Sequence, residues 1–144
     1  MYEAILLPTD GSEGTAAAAD HAATLADAFD ATVHVLSVAD ERNRFESPSA
    51  GLAADAWEES EHARAEAAAQ TTVGALPATI AAESAVVAGI PHEAIVDYAT
   101  ENCVDAVVMG THGRTGVDHY LVGSVAEKVV RTSPVPVMTV RLDD

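Results

Sequence analysis

The residues that could do chemistry cluster in one stretch, Gly110-Thr111-His112-Gly113-Arg114-Thr115-Gly116, with Gly123-Ser124 following shortly after. The stretch leaves an apolar run and leads into a helical pattern. Glycine permits positive φ and lets backbone N–H groups approach an anion closely. A helix amino terminus adds unpaired N–H donors and a partial positive charge. The chemistry this combination offers is phosphate binding. Gly123-Ser124 would present the amides of Val125 and Ala126, with the Ser124 hydroxyl as a further donor. Ser124 and Glu127 also fit a capping box, a purely structural reading that stays open. No Gly-Lys-Ser/Thr occurs, and the glycines do not follow the first strand tightly, so neither common phosphate-loop fingerprint applies. Arg114, the only cation in the loop, either offsets phosphate charge or is solvated. His112 is either a phosphate-loop residue or an exposed loop histidine. His112 and His119 lack a third local ligand for a metal site.

A second candidate ends the first apolar run: Pro8-Thr9-Asp10-Gly11-Ser12. Asp10 is read as a nucleotide or metal contact, against an Asx turn or helix cap. Cys103 is the only cysteine. It excludes an internal disulfide and a cysteine-based zinc site, and its place at the end of an apolar stretch suggests a buried, inert thiol. His21, His34 and His62 have no partner spacing, and His92 reads as solvated. Lys128 and Arg131 sit in the last turns of a short helix, where cations offset its dipole.

The elements that must position these residues alternate. Tyr2 to Thr9 reads as a strand, and Ala18, Ala22, Leu25, Ala26 and Phe29 give the next helix one inward face. Thr32 to Val38 is a β-branched strand. Residues 39–55 read as a long, exposed connection, and the Ala-rich 56–75 as a helix. Thr79 to Val87 is a third strand. Pro91 suits a first helical turn, whose apolar face is Ile95, Val96 and Ala99. Ala106 to Met109 is continuously apolar, as a sheet covered on both faces requires. Ser124 to Arg131 is a short helix and Pro136 to Arg141 the last strand. This alternation predicts an α/β, Rossmann-like fold. It is an open, doubly wound, five-stranded parallel sheet of order 3-2-1-4-5, flanked by four helices. Residues 1–144 read as one domain. Ligands in such sheets sit beyond the carboxyl ends of the strands where the order reverses, which selects the loops holding Asp10 and Gly110.

With 144 residues, 49% of them apolar, the chain can bury one sizeable core. No run approaches the ~20 apolar residues that span a bilayer, and the opening residues do not read as a signal peptide. A cytoplasmic protein is expected. The formal charge is −16, from 23 acidic against 7 basic residues. Such a surface repels phosphate backbones, so nucleic acid and anionic membrane are poor partners. A folded, Ala-rich, Lys-poor acidic domain resembles proteins of halophilic organisms.

Gly110-x-x-Gly113, nine residues, then Gly123-Ser124 is similar to the nucleotide motif of ATP-binding universal stress proteins. Pro8-Thr9-Asp10-Gly11-Ser12, Gly89-x-Pro91, the run from Asp105 to Gly110 and Ser133-Pro134-Val135-Pro136-Val137 also resemble that family, so the likeness spans essentially the whole chain. The glycines match the binding branch rather than the Gly-poor branch that does not bind ATP. The resemblance implies a site position by position. Asp10 would lie beside ribose and phosphates and could help hold Mg²⁺. Pro8 and Thr9 would line the pocket. Val38 would offer backbone groups to the adenine edge, and Met109 would pack near the nucleotide. Gly110, His112 and Gly113 would wrap the ribose and phosphates. Gly123, Ser124 and Val125 would bind the phosphate chain. It also implies a homodimer through the last, edge strand.

The function expected is ATP (or AMP or ADP) binding in a stress or regulatory role, with at most slow hydrolysis, since no catalytic base or arginine finger is evident. One rival is a nucleotide hydrolase or transferase on a related scaffold. Another is a nucleotide-free dimeric interaction module. A phosphorylated receiver domain would need an acceptor Asp ending the third strand, which instead ends Val86-Val87-Ala88-Gly89.

Overall fold

A computed structural model describes residues 2–41, 50–111 and 123–141, with the side chains of α2 described from residue 58. The elements are β1 (Ala4–Thr9), α1 (Glu13–Phe29), β2 (Thr32–Asp40), α2 (Ala50–Ala75), β3 (Ala82–Gly89), α3 (Pro91–Glu101), β4 (Ala106–Gly110), α4 (Ser124–Thr132) and β5 (Val137–Val140). Every strand pair is parallel, as the alternation predicts, and the sheet order is the expected β3-β2-β1-β4-β5.

The sheet is covered on both faces. Ile5, Leu7, Val33, Val35 and Val108 pack under α1 and α2, against Ala18, Ala22, Ala26, Ala69 and Leu76. Leu6, Leu36, Val107 and Met109 point the other way, onto Ile95 and Ala99 of α3 and Ala126 and Val129 of α4. Successive strand residues face opposite sides, so burial on both faces demands an unbroken apolar run. The alanines of α1 bring its axis close to the sheet. Asp105 fastens the amino ends of β4 and β1: its Oδ2 accepts the N–H of Glu3 at 2.8 Å and of Ala4 at 3.0 Å.

Some expectations shift. The connection expected over 39–55 is shorter at both ends, because β2 pairs with β3 as far as Asp40↔Gly89 and the helix begins at Ala50. The third strand starts at Ala82, since Ile80 N–H closes a turn onto Pro77 C=O. Phe29, expected to face inward, is 47% exposed at the helix end, where its ring meets that of Tyr2 edge to face, 5.1 Å between centroids. Cys103 is exposed rather than buried: it occupies the left-handed position (φ 52°) that turns the chain from α3 towards β4.

Candidate functional site

The ladder between β1 and β4 stops short of their carboxyl ends, at the reversal of strand order where sheets of this kind open a crevice. Their paired register covers only Ile5↔Ala106 and Leu6↔Val107. Ala4 exchanges backbone and side-chain bonds with Asp105, on the β4 side, while Glu3 C=O accepts Thr32 N–H on the β2 side. Alternation therefore turns Pro8 towards β4, two residues past the last pair. Proline lacks the N–H a central strand must donate. Here it stands where that donor has no ladder to join.

Each side of the crevice is built from close backbone contacts. A Cβ on Gly110 would lie 2.9 Å from both the carbonyl carbon and oxygen of Gly14, so only glycine fits between β4 and the first turn of α1. Past Gly110, Thr111 is buried. Its N–H donates to Val140 C=O and its own C=O accepts Gly123 N–H. That bond carries the chain back to the crevice as α4 starts. Gly123 is the N-cap, in extended conformation (φ −60°, ψ 154°), and no side chain among the described residues caps the helix. The capping box of Ser124 and Glu127 does not form: Ser124 already lies inside the helix, and Glu127 pairs with Arg131 at 2.6 Å. The first amides of α4, those of Ser124, Val125 and Ala126, lie in the turn that has no intrahelical acceptor, and no side chain among the described residues caps them.

The loop after β1 is held by its own side chains. Oδ1 of Asp10 accepts the N–H of Ser12 at 2.9 Å and the Thr15 hydroxyl at 3.1 Å, an Asx turn that starts α1. Gly11 takes φ +80°, and a Cβ there would press on Ala68 of α2 at 3.3 Å. The Thr9 hydroxyl accepts Gly11 N–H at 3.0 Å and bonds the Thr72 hydroxyl at 2.7 Å. Thr9 is thus turned towards α2 rather than towards β4.

At the other flank β2 outruns β1. The β1 pairing stops at Thr9↔Ser37, whereas β2 continues with β3 to Asp40. Thr32 N–H points to β1 and Val33 N–H to β3, so the even-numbered backbone groups face the gap beyond β1. Val38 C=O and Asp40 N–H stand there, an acceptor and a donor two residues apart. Both are engaged by α2. Arg64 Nη2 donates to Val38 C=O at 3.1 Å, and Asp40 N–H donates to Glu61 Oε1 at 3.1 Å. Glu61 Oε1 also accepts from Arg64 Nη2 at 2.7 Å and Nε at 3.0 Å. Arg64 Nη1 is buried without a hydrogen-bond partner among the described residues. The side chains of Val38 and Met109 lie in the core on the α3–α4 side.

Pro8, Thr9, Asp10, Val38, Met109, Gly110, Gly123, Ser124 and Val125 therefore lie at or beside the carboxyl ends of β1, β2 and β4. His112 and Gly113, like Arg114 and His119, lie outside the described residues. Sequence reasoning missed Glu61, Arg64 and Thr72. The one signal was an Glu-x-x-Arg pair on the helical face that continues through Ala65, Ala68 and Thr72, and its meaning depends on how far β2 extends.

Comparison with known proteins agrees with this architecture. The family model described as the universal stress protein family matches residues 1–141. The chain is 36% identical over 146 residues to universal stress protein MJ0531 of Methanocaldococcus jannaschii, covering 98% of this chain and 83% of that one. Among solved structures, MJ0577 superposes with a TM-score of 0.76 at 33% identity, covering 100% of this chain and 99% of that one. A universal stress protein solved in complex with cAMP superposes at 0.62, with 28% identity and 97% of each chain covered. The sheet order, the parted strands and a match along nearly the whole sequence lead to one conclusion: the chain belongs to the universal stress protein family.

Proposed function

We propose that this protein binds an adenine nucleotide, ATP foremost, in the crevice between β1 and β4, as a stress-response or regulatory protein. The observation that carries the reading is the start of α4: first-turn amides without intrahelical acceptors, no side-chain cap among the described residues, and a tether from Gly123 to Thr111 that holds them beside the end of β4. A phosphate chain supplies the acceptors those donors lack. The relative solved with cAMP supports the nucleotide class.

In this reading Gly123, Ser124 and Val125 hold phosphates, and Gly110, His112 and Gly113 enclose the ribose side. Pro8, Thr9 and Met109 form the walls, and Val38 faces the base. Asp10 contributes one oxygen to Mg²⁺, whose remaining ligands come from phosphates and water, as is usual for that ion. Mg²⁺ also eases the approach of a polyanion to a chain of charge −16. Turnover is slow at most. A homodimer through β5, where Met138 is exposed, a cytoplasmic location and a salt-rich source belong to the same proposal. Among the described residues no helix is long and apolar enough to cross a membrane.

Native mass spectrometry of freshly purified protein tests the central claim. A co-purified ATP or AMP mass is expected. Titration calorimetry should then give tighter ATP binding with Mg²⁺ than without it. Failure of ATP, ADP and AMP all to bind would remove the proposal. A monomeric mass at high salt and micromolar concentration would remove the dimer alone.

A further inference from the structure

We propose that Glu61 and Arg64 form an internal stand-in for the adenine base, which a nucleotide must displace. The inference rests on the nucleotide reading above and concerns the regulation of that same site. The Watson–Crick edge of adenine carries a donor, the N6 amino group, beside an acceptor, N1. Two strand residues apart on one side of an extended chain, a C=O and an N–H form the complementary pair. Val38 C=O and Asp40 N–H are such a pair, at the end of β2 beyond its last pairing with β1, which no strand among the described residues covers on that side.

In this structure a guanidinium donor fills the place of N6, and a carboxylate acceptor the place of N1. Arg64 Nη2 lies 3.1 Å from Val38 oxygen, and Glu61 Oε1 lies 3.1 Å from Asp40 nitrogen. The two side chains are joined at 2.7 Å, as the two functions of one base edge are joined by its ring. The clasp reproduces the hydrogen-bonding pattern of the base and excludes it while closed. It is also imperfect. Arg64 Nη1 is buried with no partner among the described residues, and a buried unsatisfied donor weakens the state that holds it. Arg64 and Glu61 remain partly exposed, so solvent can receive both when they swing out.

The consequence is an affinity held below its intrinsic value. A site whose competent form is a minor population binds more weakly by that fraction, so a clasp closed ~90% of the time weakens binding about tenfold. Arg64→Met keeps the aliphatic stem and removes the donor. On charge alone, losing a cation should weaken ATP binding, whereas opening the clasp should strengthen it, so the sign discriminates.

The test is calorimetry of wild type, Arg64→Met and Glu61→Gln with ATP and with tripolyphosphate, which has no base. ATP should bind about tenfold tighter to Arg64→Met and by a smaller gain to Glu61→Gln, with tripolyphosphate affinity not raised in either. In the wild type, the Asp40 amide resonance should shift on ATP addition and not on tripolyphosphate addition, a readout that survives if a variant folds poorly. ATP binding to wild type that is unchanged or weakened in folded Arg64→Met overturns the clasp and leaves the nucleotide reading standing. An Asp40 amide unmoved by saturating ATP does the same. Absence of ATP binding in all three proteins overturns the nucleotide reading itself.

Discussion

Gly110 and Gly14 meet backbone to backbone: a Cβ on the first would stand 2.9 Å from the carbonyl group of the second. The glycine that opens the nucleotide-like motif is therefore fixed by the seating of α1 on β4, whatever the crevice holds. Its neighbour is main chain of a helix, which cannot swing aside as a side-chain tip can. Gly110→Ala should destabilise the fold by about 1–3 kcal/mol, the usual cost of overpacking a tight site. Urea unfolding monitored by circular dichroism reads it directly. A midpoint equal to wild type would mean that the helix can retreat without cost. Any loss of nucleotide binding in this variant thus reports on architecture as well as contact.

The alternation of apolar runs and helical patterns was enough to read a doubly wound parallel sheet, because burial on both faces leaves β1 and β4 no other composition; alternation alone does not choose among the strand orders such sheets adopt. What stayed hidden is what depends on where strands stop. Asp10 could be read as a ligand or as an Asx turn from its neighbours alone, and the structure shows the turn without removing the other role. Thr9 gave no sign that its hydroxyl would meet Thr72, 63 residues away. Glu61 and Arg64 acquire meaning only because β2 overshoots β1 by three residues, a register fact that no local pattern carries. Cys103 followed an apolar stretch yet fell on a left-handed turn residue just after α3 and is exposed there.

Gly123 is the cleaner probe of the phosphate contact. Its φ of −60° and ψ of 154° suit any residue, so no left-handed strain follows from a side chain. Valine is a much poorer N-cap than glycine, so helix stability should fall by about 1 kcal/mol, which leaves the fold intact. The branched side chain would stand beside the Ser124, Val125 and Ala126 amides and keep an anion off them. Gly123→Val should therefore weaken ATP by more than about tenfold, a loss above about 1.4 kcal/mol. Calorimetry and thermal melting on the same sample separate the two effects. Undiminished ATP binding would move the phosphates away from α4.

Acid stability has a named contributor at the opposite end of the sheet. The backbone N–H groups of Glu3 and then of Ala4 hold the Asp105 carboxyl below the usual carboxylate range. A depressed folded-state pKa stabilises the fold above the unfolded value, about 3.9, and the effect fades as pH falls through the lower folded value. Asp105→Asn should lower stability at neutral pH and make the decline below about pH 4 shallower. Denaturant midpoints measured across that range would show it. Parallel wild-type and variant curves, offset but of equal slope, would mean that the side chain acts through geometry and its charge does not matter.

The charge of −16 makes a prediction about salt that no single contact carries. Self-repulsion of scattered carboxylates opposes the compact state. Raising salt from ~0.1 M to ~1 M shortens the screening length from about 10 Å to about 3 Å, which largely removes repulsion between exposed charges. The melting temperature should rise with KCl by several degrees over that range, a gain of about 1–2 kcal/mol for a chain of this size. Potassium chloride is the informative salt, because sulfate would strengthen apolar burial in any protein. Stabilisation that appears with sulfate and not with chloride would assign the effect to burial and leave the acidic surface without a role in stability.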